Sequence, residues 1–375
     1  MKWELKSLDE IGFIRRGKSR HRPRNAEHLY GGEYPFVQTG DIKAANFRIN
    51  EYSQTYNEAG LAQSKLWKEG TLCITIAANI ADTAILGIDA CFPDSVIGFV
   101  PYEDKSDVRF VKYFFDIFQA RMKSIAVGAA QDNLSLEKLL TFKIPTPPLP
   151  TQRKIASILS AYDDLIENNL KRIKLLEEKA FASYKLIVQN EKLEEFTIEE
   201  LANVVMGQSP TSDTYTNEKE DNLPFHQGVT NFSNYFVEHK IYCKAPIKIA
   251  EEGDILFSVR APVGRINFTS DKICIGRGLC AFRSKKGFQN YFYHQLKEFF
   301  FAEDVIGNGA IFNAVTKVEL MKVKLKTPSE KIQQEFEVEA EQMYNLILNL
   351  TKQNTKLREA RDILLPKLMN GQIEV

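Results

Sequence analysis

Two stretches of this chain carry apolar residues at spacings that alternate between four and three. The first stripe runs Ile155, Leu159, Tyr162, Ile166, Asn169, Ile173, Leu176, Ala180, Ile187. The second runs Phe336, Ala340, Met343, Ile347, Leu350, Asn354, Leu357, Leu364. This period is a coiled-coil seam and predicts helices over about 151–189 and about 330–365. Prolines at 145, 147, 148 and 150 precede the first helix, and Pro366 is expected to end the second. Each helix would span roughly 55–60 Å at 1.5 Å per residue. A one-sided apolar stripe needs a partner, and the other copy in the same chain is the nearest one. Asn169 and Asn354 interrupt the stripes. Such a residue either fixes register at some cost in stability or marks a solvated edge.

Ahead of each long helix the pattern changes. Runs of β-branched and aromatic residues at 71–76, 95–100, 254–259 and 272–275 are broken by Gly, Pro and Asn, which predicts strands and turns. Short helices follow at about 108–125 and about 287–302. Their many Phe and Tyr residues read as core packing rather than as base-stacking platforms.

These two plans are one plan written twice. Pro35-Phe36-Val37-Gln38 recurs as Pro224-Phe225-His226-Gln227, at an offset of 189 residues. Gly70-Thr71-Leu72 recurs in kind as Gly253-Asp254-Ile255, at an offset of 183. Gly128-Ala129 recurs as Gly309-Ala310, and Thr146-Pro147 as Thr327-Pro328, both at 181. The slow drift fits two homologous halves that differ by small loop insertions, and the offset is far longer than a solenoid period. The chain therefore divides into a first domain at 1–150, a helix at 151–190, a second domain at 191–328 and a helix at 329–375.

A length of 375 residues suits two or three domains, and 44% hydrophobic with 26% charged residues suits packed cores. The start of the chain lacks a signal peptide's apolar region, and no apolar run approaches the roughly 18 residues a membrane helix needs. Cys73, Cys91, Cys243, Cys274 and Cys280 form no Cys-x-x-Cys pair, which points to a reducing, cytoplasmic setting. The 49 basic and 49 acidic residues cancel, but they are segregated. Arg15, Arg16, Lys18, Arg20, Arg22 and Arg24 crowd one short segment, while Glu177, Glu178, Glu191, Glu194, Glu195, Glu199 and Glu200 crowd the middle.

Three enzyme classes find little support. The five histidines show no ligand spacing, so no metal is expected. There is no phosphate-binding Gly-x-x-x-x-Gly-Lys-Ser/Thr loop, and no cofactor loop with an Asn/Asp-Pro-Pro-Tyr motif for methyl transfer. Pro93-Asp94 followed by Glu103-Asp104-Lys105 formally matches a PD-(D/E)xK nuclease site. However, the repeat sets Gly276-Arg277 against Pro93-Asp94, so the second copy lacks it.

Over essentially its whole length the chain resembles the specificity (S) subunits of type I restriction–modification systems. The resemblance rests on the openings Gly17-Lys18-Ser19 and Gly207-Gln208-Ser209-Pro210, and on the Pro-Phe-x-Gln strands. It rests also on Ser258-Val259-Arg260-Ala261-Pro262-Val263-Gly264, on the junction Gln131-Asp132-Asn133-Leu134-Ser135 through Thr151-Gln152-Arg153-Lys154-Ile155, and on the ending Leu364-Leu365-Pro366-Lys367-Leu368-Met369-Asn370-Gly371-Gln372-Ile373. It implies an α+β fold: two similar α/β target-recognition domains with mixed β-sheets, separated by two long antiparallel coiled-coil helices. Each domain would read one half of a split site on double-stranded DNA. The helices would dock two methyltransferase (M) subunits, with restriction (R) subunits added in the full nuclease. The chain itself would be non-catalytic and without cofactor. A coiled-coil adaptor that binds only proteins would explain the helices but not the two β-rich modules.

DNA affinity comes largely from phosphate contacts, and sequence from base edges. The Arg15–Lys18–Arg24 segment, with Gly17 and Pro23, reads as a flexible loop for phosphates or a narrow minor groove. In the second half the matching loop at Gln208 is uncharged, and charge would come from Arg260, Arg265, Arg277 and Arg283. Candidates for base edges are Gln38, Asn79, Gln131 and Asn133 in the first domain, and Gln227, Arg260, Arg277 and Asn313 in the second. The same residue types also cap turns. In the helices, Ile155, Leu159, Tyr162, Ile166, Asn169, Ile173 and Leu176 would meet Met343, Ile347, Leu350, Asn354 and Leu357.

Overall fold

The computed structural model describes residues 3–76, 81–125, 135–233, 235–301 and 314–375. Asn79, Gln131, Asn133 and Asn313 lie outside the described residues. The chain forms two compact units: Met1–Leu170 with Gln353–Val375, and Lys171–Lys352. We call these unit 1 and unit 2.

Each unit holds the same three sheets. In unit 1 the main sheet runs Gly12–Arg16, Val96–Pro101, Leu72–Thr75, Thr83–Leu86, Arg48–Ile49. In unit 2 it runs Ala202–Met206, Leu279–Ser284, Ile255–Ser258, Ile266–Phe268. The second sheet is mixed. Strand Tyr30–Phe36 pairs parallel with Ala90–Cys91 and antiparallel with Gln54–Tyr56. Its counterpart Leu223–His226 pairs parallel with Ile273–Ile275 and antiparallel with Tyr242–Cys243. A two-stranded ladder closes each unit, Glu4–Lys6 with Ile144–Thr146 and Glu194–Thr197 with Lys324–Thr327. Pro145 sits inside the first of these, opposite Leu5, so the proline-rich stretch begins within a ladder. A two-stranded ribbon tolerates this because proline's missing N–H can face away from the partner strand.

The short helices Val108–Ile125 and Gln289–Phe301 pack aromatics into the cores, as their spacing predicted. Phe110, Tyr113 and Phe115 are buried in unit 1, and Tyr291, Phe292 and Tyr293 in unit 2.

The long helices are Leu149–Asn190 and Glu330–Met369. Their starts are built alike. Gln152 Nε2 donates to the Pro147 carbonyl at 2.9 Å, and Gln333 Nε2 to the Pro328 carbonyl at 3.0 Å, two positions 181 residues apart. The second helix does not stop at Pro366, which lies within its last turn. A proline there forfeits one backbone bond and one turn's geometry, and the buried Leu365, Leu368 and Met369 hold that turn against the unit 1 core.

Within each unit the helix segments run antiparallel. In unit 1, Asn169 pairs with Asn354 and Asp163 with Arg361. In unit 2, Lys179 pairs with Glu339, and Tyr184 lies edge-on to Phe336. Ile155, Leu159, Ile166, Ile173, Met343, Ile347 and Leu350 are buried as expected, whereas Leu176 and Leu357 are half-buried. Tyr162 is also half-buried, and Asp163 is buried in its place. Stepping 159, 163, 166 alternates four and three as well as 159, 162, 166 does in reverse, so periodicity could not choose. The choice falls to Asp163 because Tyr113 and Arg361 satisfy its carboxylate.

Asn169 Nδ2 donates to Asn354 Oδ1 at 2.9 Å, and both side chains are buried. The Asn354 amide nitrogen has no hydrogen-bond partner among the described residues. At the equivalent positions of unit 2 stand Leu350 and Ile173, both buried. The Asn pair therefore fixes register in one unit at a cost in stability. Asn169→Leu with Asn354→Ile should stabilise unit 1 by about 1–2 kcal/mol. Asn169→Leu alone, which strands Asn354, should destabilise it. Urea titration followed by tryptophan emission tests both, since Trp3 and Trp67 both lie in unit 1. A double variant less stable than wild type would refute the assignment.

Candidate nucleic-acid interface

In each unit a glycine opens the first loop by docking on the turn between two strands. Gly17 N–H donates to the Val96 carbonyl at 2.8 Å, and Lys18 N–H to the Phe92 carbonyl at 3.1 Å. Gly207 N–H donates to the Leu279 carbonyl at 2.9 Å, and Gln208 N–H to the Ile275 carbonyl at 3.0 Å. A Cβ at Gly17 would meet the Phe92 and Pro93 carbonyls at 2.4 Å, and one at Gly207 the Gly276 carbonyl at 2.2 Å. Only glycine lets these backbones approach so closely. The docking gathers three segments at one end of each unit: the opening loop, the end of the Pro-Phe-x-Gln strand, and the turn at 92–96 or 275–279.

In unit 1 this end is cationic and tied down. Gln63 Oε1 accepts the Arg20 and His21 N–H groups at 2.6 and 3.0 Å, and Ser64 donates to the Lys18 carbonyl at 2.7 Å. Tyr30 donates to the Arg24 carbonyl at 2.7 Å. The loop expected to be flexible is thus pinned along its length. Arg24 Nη2 contacts both Asp94 oxygens, at 2.7 and 3.0 Å, and Arg22 lies 3.6 Å away. Arg22 also donates to the Ser19 and His21 carbonyls. Asp94 is therefore the counter-ion of two arginines. Among the described residues, no three His, Cys, Asp or Glu side chains gather as a metal site would need.

Arg15, Arg16, Lys18 and Arg20 make no side-chain ion pair among the described residues. Arg15 and Arg16 are exposed on the edge strand Gly12–Arg16. Beside them Lys65 Nζ sits 3.6 Å above the Trp67 ring and 4.9 Å from Phe13. Burial, with the charge of Arg15, pushes its pKa down. Nothing in the linear pattern singled out Lys65. Gln38 spends its amide N–H on Gln54 Oε1 at 2.7 Å, while its backbone N–H donates to Asp41.

Unit 2 reverses the charge plan. Its turn carries exposed Arg277 where unit 1 has Asp94, and its opening loop carries hydroxyls. Ser209 Oγ donates to Gln227 Oε1 at 2.8 Å and accepts the Arg277 backbone N–H at 3.2 Å, so the loop ties the Gln227 amide to the turn that carries Arg277. Gln208 is exposed next to Ser209. Arg260 is exposed, with its backbone bridged to Ala314, and Arg265 is exposed on the same hairpin. A cavity of about 360 Å³ lies there, lined by Arg265, Lys297, Tyr293 and Ser233 among others. Arg283, also a candidate cation, instead pairs with buried Asp254 at 2.8 Å and lies on strand Leu279–Ser284.

Behind Gln227 the strand end is braced. His226 Nε2 meets His239 Nδ1 at 2.9 Å, and His239 Nε2 meets Asp271 at 3.1 Å. Burial first, and then His239, lowers the His226 pKa to about 4, so it is neutral at pH 7.

The chain matches the family described as type I restriction modification DNA specificity domain, over residues 1–178 and again over 190–358. A Methanocaldococcus jannaschii protein named as the MjaX specificity subunit of a type I restriction enzyme is 32% identical over 299 residues, covering 73% of this chain and 70% of that one. The MjaIX specificity subunit of the same organism is 24% identical over 100% of this chain and 94% of its own. Among solved structures, the type I restriction–modification S subunit from M. genitalium shares the fold, with a TM-score of 0.61 at 18% identity, covering 98% of this chain and 96% of that one. Among the described residues, no helix is long and apolar enough to cross a membrane.

Proposed function

The chain belongs to the type I restriction–modification DNA specificity family, with two copies of the specificity domain, and from that premise we propose that each unit reads one half of a bipartite site on double-stranded DNA. The long helices act as the spacer between half-sites and as the docking surface for two methyltransferase subunits, with restriction subunits joining the full nuclease. The chain contributes no catalysis of its own and works in the cytoplasm. The domains proper are 1–150 and 191–328, and the helices 151–190 and 329–375 serve both.

One observation carries the reading. The same backbone docking at Gly17 and Gly207 presents different side chains at the two ends: Arg22 and Arg24 with Asp94 in one, Ser209 and Gln227 with Arg277 in the other. A shared frame with exchanged side chains is what two readers of unlike half-sites require. In unit 1, Arg15, Arg16, Lys18 and Arg20 supply phosphate contacts while Gln38 faces bases. In unit 2, Gln208, Gln227, Arg260, Arg265 and Arg277 do so. Asn79, Gln131, Asn133 and Asn313 remain candidates by their sequence position.

Selection from a randomised duplex pool, with the chain alone and with methyltransferase subunits added, should recover a split motif with an unread gap. Inserting four residues in each long helix adds roughly 6 Å to each. The gap should lengthen while both half-sites stay as they were. Altered half-sites with an unaltered gap would defeat the ruler.

A further inference from the structure

The amide of Gln227 is held more tightly than an exposed glutamine needs to be. Its residue follows strand Leu223–His226, where Gly276 N–H clamps the His226 carbonyl at 2.8 Å and Gly278 N–H clamps the Gln227 carbonyl at 3.1 Å. A Cβ at Gly276 would stand 2.6 Å from Gln227 Oε1, and one at Gly278 2.4 Å from the Gln227 carbonyl. Ser209 completes the grip. Its oxygen accepts the Arg277 backbone N–H at 3.2 Å, and its proton is donated to Gln227 Oε1 at 2.8 Å.

That contact sets a polarity. With the amide oxygen turned toward Ser209, the two N–H bonds point the other way, and they meet no acceptor among the described residues. Arg277, whose backbone N–H meets the same Ser209 oxygen, is exposed, and its side chain also offers only donors. A glutamine pairs with adenine by accepting from N6 and donating to N7, which requires its oxygen to face the base. Guanine presents two acceptors in the major groove, O6 and N7.

We propose that Ser209 is a positioning residue that orients Gln227 so that its N–H groups, with the Arg277 guanidinium, select a guanine in the half-site read by unit 2. The inference rests on the DNA-reading function proposed above and adds the class of base read by this site.

The test is selection from a randomised duplex pool by the full chain with methyltransferase subunits, for wild type and for Gln227→Ala, Ser209→Ala and Ser209→Thr. Wild type should show a guanine in the unit 2 half-site. In Gln227→Ala its preference should fall roughly tenfold or more. In Ser209→Ala the amide is free to turn, and adenine should become accepted at that position. Ser209→Thr, which keeps the hydroxyl, should restore guanine. The unit 1 half-site should persist in all variants, and it reports that each still folds and binds. A split motif that stays the same in Gln227→Ala or in Ser209→Ala would overturn the proposal while leaving the specificity function standing. A wild-type pool without any split motif would overturn both.

Discussion

Asp163→Ala should destabilise unit 1 by about 3–5 kcal/mol, the cost of removing one partner from a buried ion pair. Asp163 is 2% exposed and accepts from Tyr113 Oη and from Arg361 Nη1, both at 2.5 Å. Tyr113 is itself buried, and burial followed by the Asp163 charge drives its pKa far up. Burial, the largest influence, opposes the charged form of Arg361, yet the charges and hydrogen bonds of Asp163 and Asp362 together more than offset this and raise its pKa. Removing the carboxylate leaves a buried hydroxyl without its acceptor and a half-buried guanidinium whose one remaining ion pair among the described residues is with the exposed Asp362. Unit 2 solves the same place differently. The positions 181 residues on are His294 and Tyr344, which share a neutral hydrogen bond of 2.6 Å. Tryptophan emission during urea unfolding isolates unit 1. Asp163→Asn, which keeps an acceptor for Tyr113, should fall between wild type and alanine. A loss under about 1 kcal/mol for the alanine variant would show that the network contributes little.

Glu177→Gln should stabilise unit 2 by about 2–3 kcal/mol near pH 8 and by little near pH 4.5. Burial raises the Glu177 pKa to about 7, the charge of Lys297 working against it and Glu178 with it. One carboxylate oxygen is buried without a hydrogen-bond partner among the described residues. Tyr235, Tyr293 and Tyr344 face it from the rest of the core; burial first, and the Glu177 charge as a lesser influence, raise their pKa values. The folded pKa lies above the unfolded one. Folding therefore retains the Glu177 proton, and stability is full below about pH 4.5 and lost as pH rises toward 7. A tenfold change in proton affinity between the folded and unfolded chain is worth about 1.4 kcal/mol, which sets the size of the effect. His226 and His294, lowered by burial to about 4 and about 3, act in the opposite sense as pH falls below about 6.5. They are present in both proteins and cancel in the comparison. Far-UV circular dichroism against urea, with tryptophan emission marking the unit 1 transition, reads the difference. A stabilisation independent of pH would mean that Glu177 is not the titrating group.

The linear sequence by itself determined the duplicated plan, the two long helices and the placing of aromatics in the short helices. These features follow from residues within a few positions of one another: a period near 3.5, alternating runs, glycine and proline at turns. It also brought Gln227 and Arg277 into view as residue types able to touch bases. What it left open were choices between neighbours and pairings across the chain. Tyr162 and Asp163 fit the seam equally well, and the structure buries Asp163 because Arg361, 198 residues away, reaches it. Arg22 and Arg24 looked like free cations until Asp94, on a different turn, was found between them. Asn169 and Asn354 could each have fixed register or marked a solvated edge; the fold brings them together, buried, at a separation of 185 residues. The orientation of the Gln227 amide depends on a serine hydroxyl delivered by another loop. Local periodicity encodes which face of an element is apolar. Only the folded path of the intervening chain decides which distant polar group arrives to satisfy a buried or orienting one.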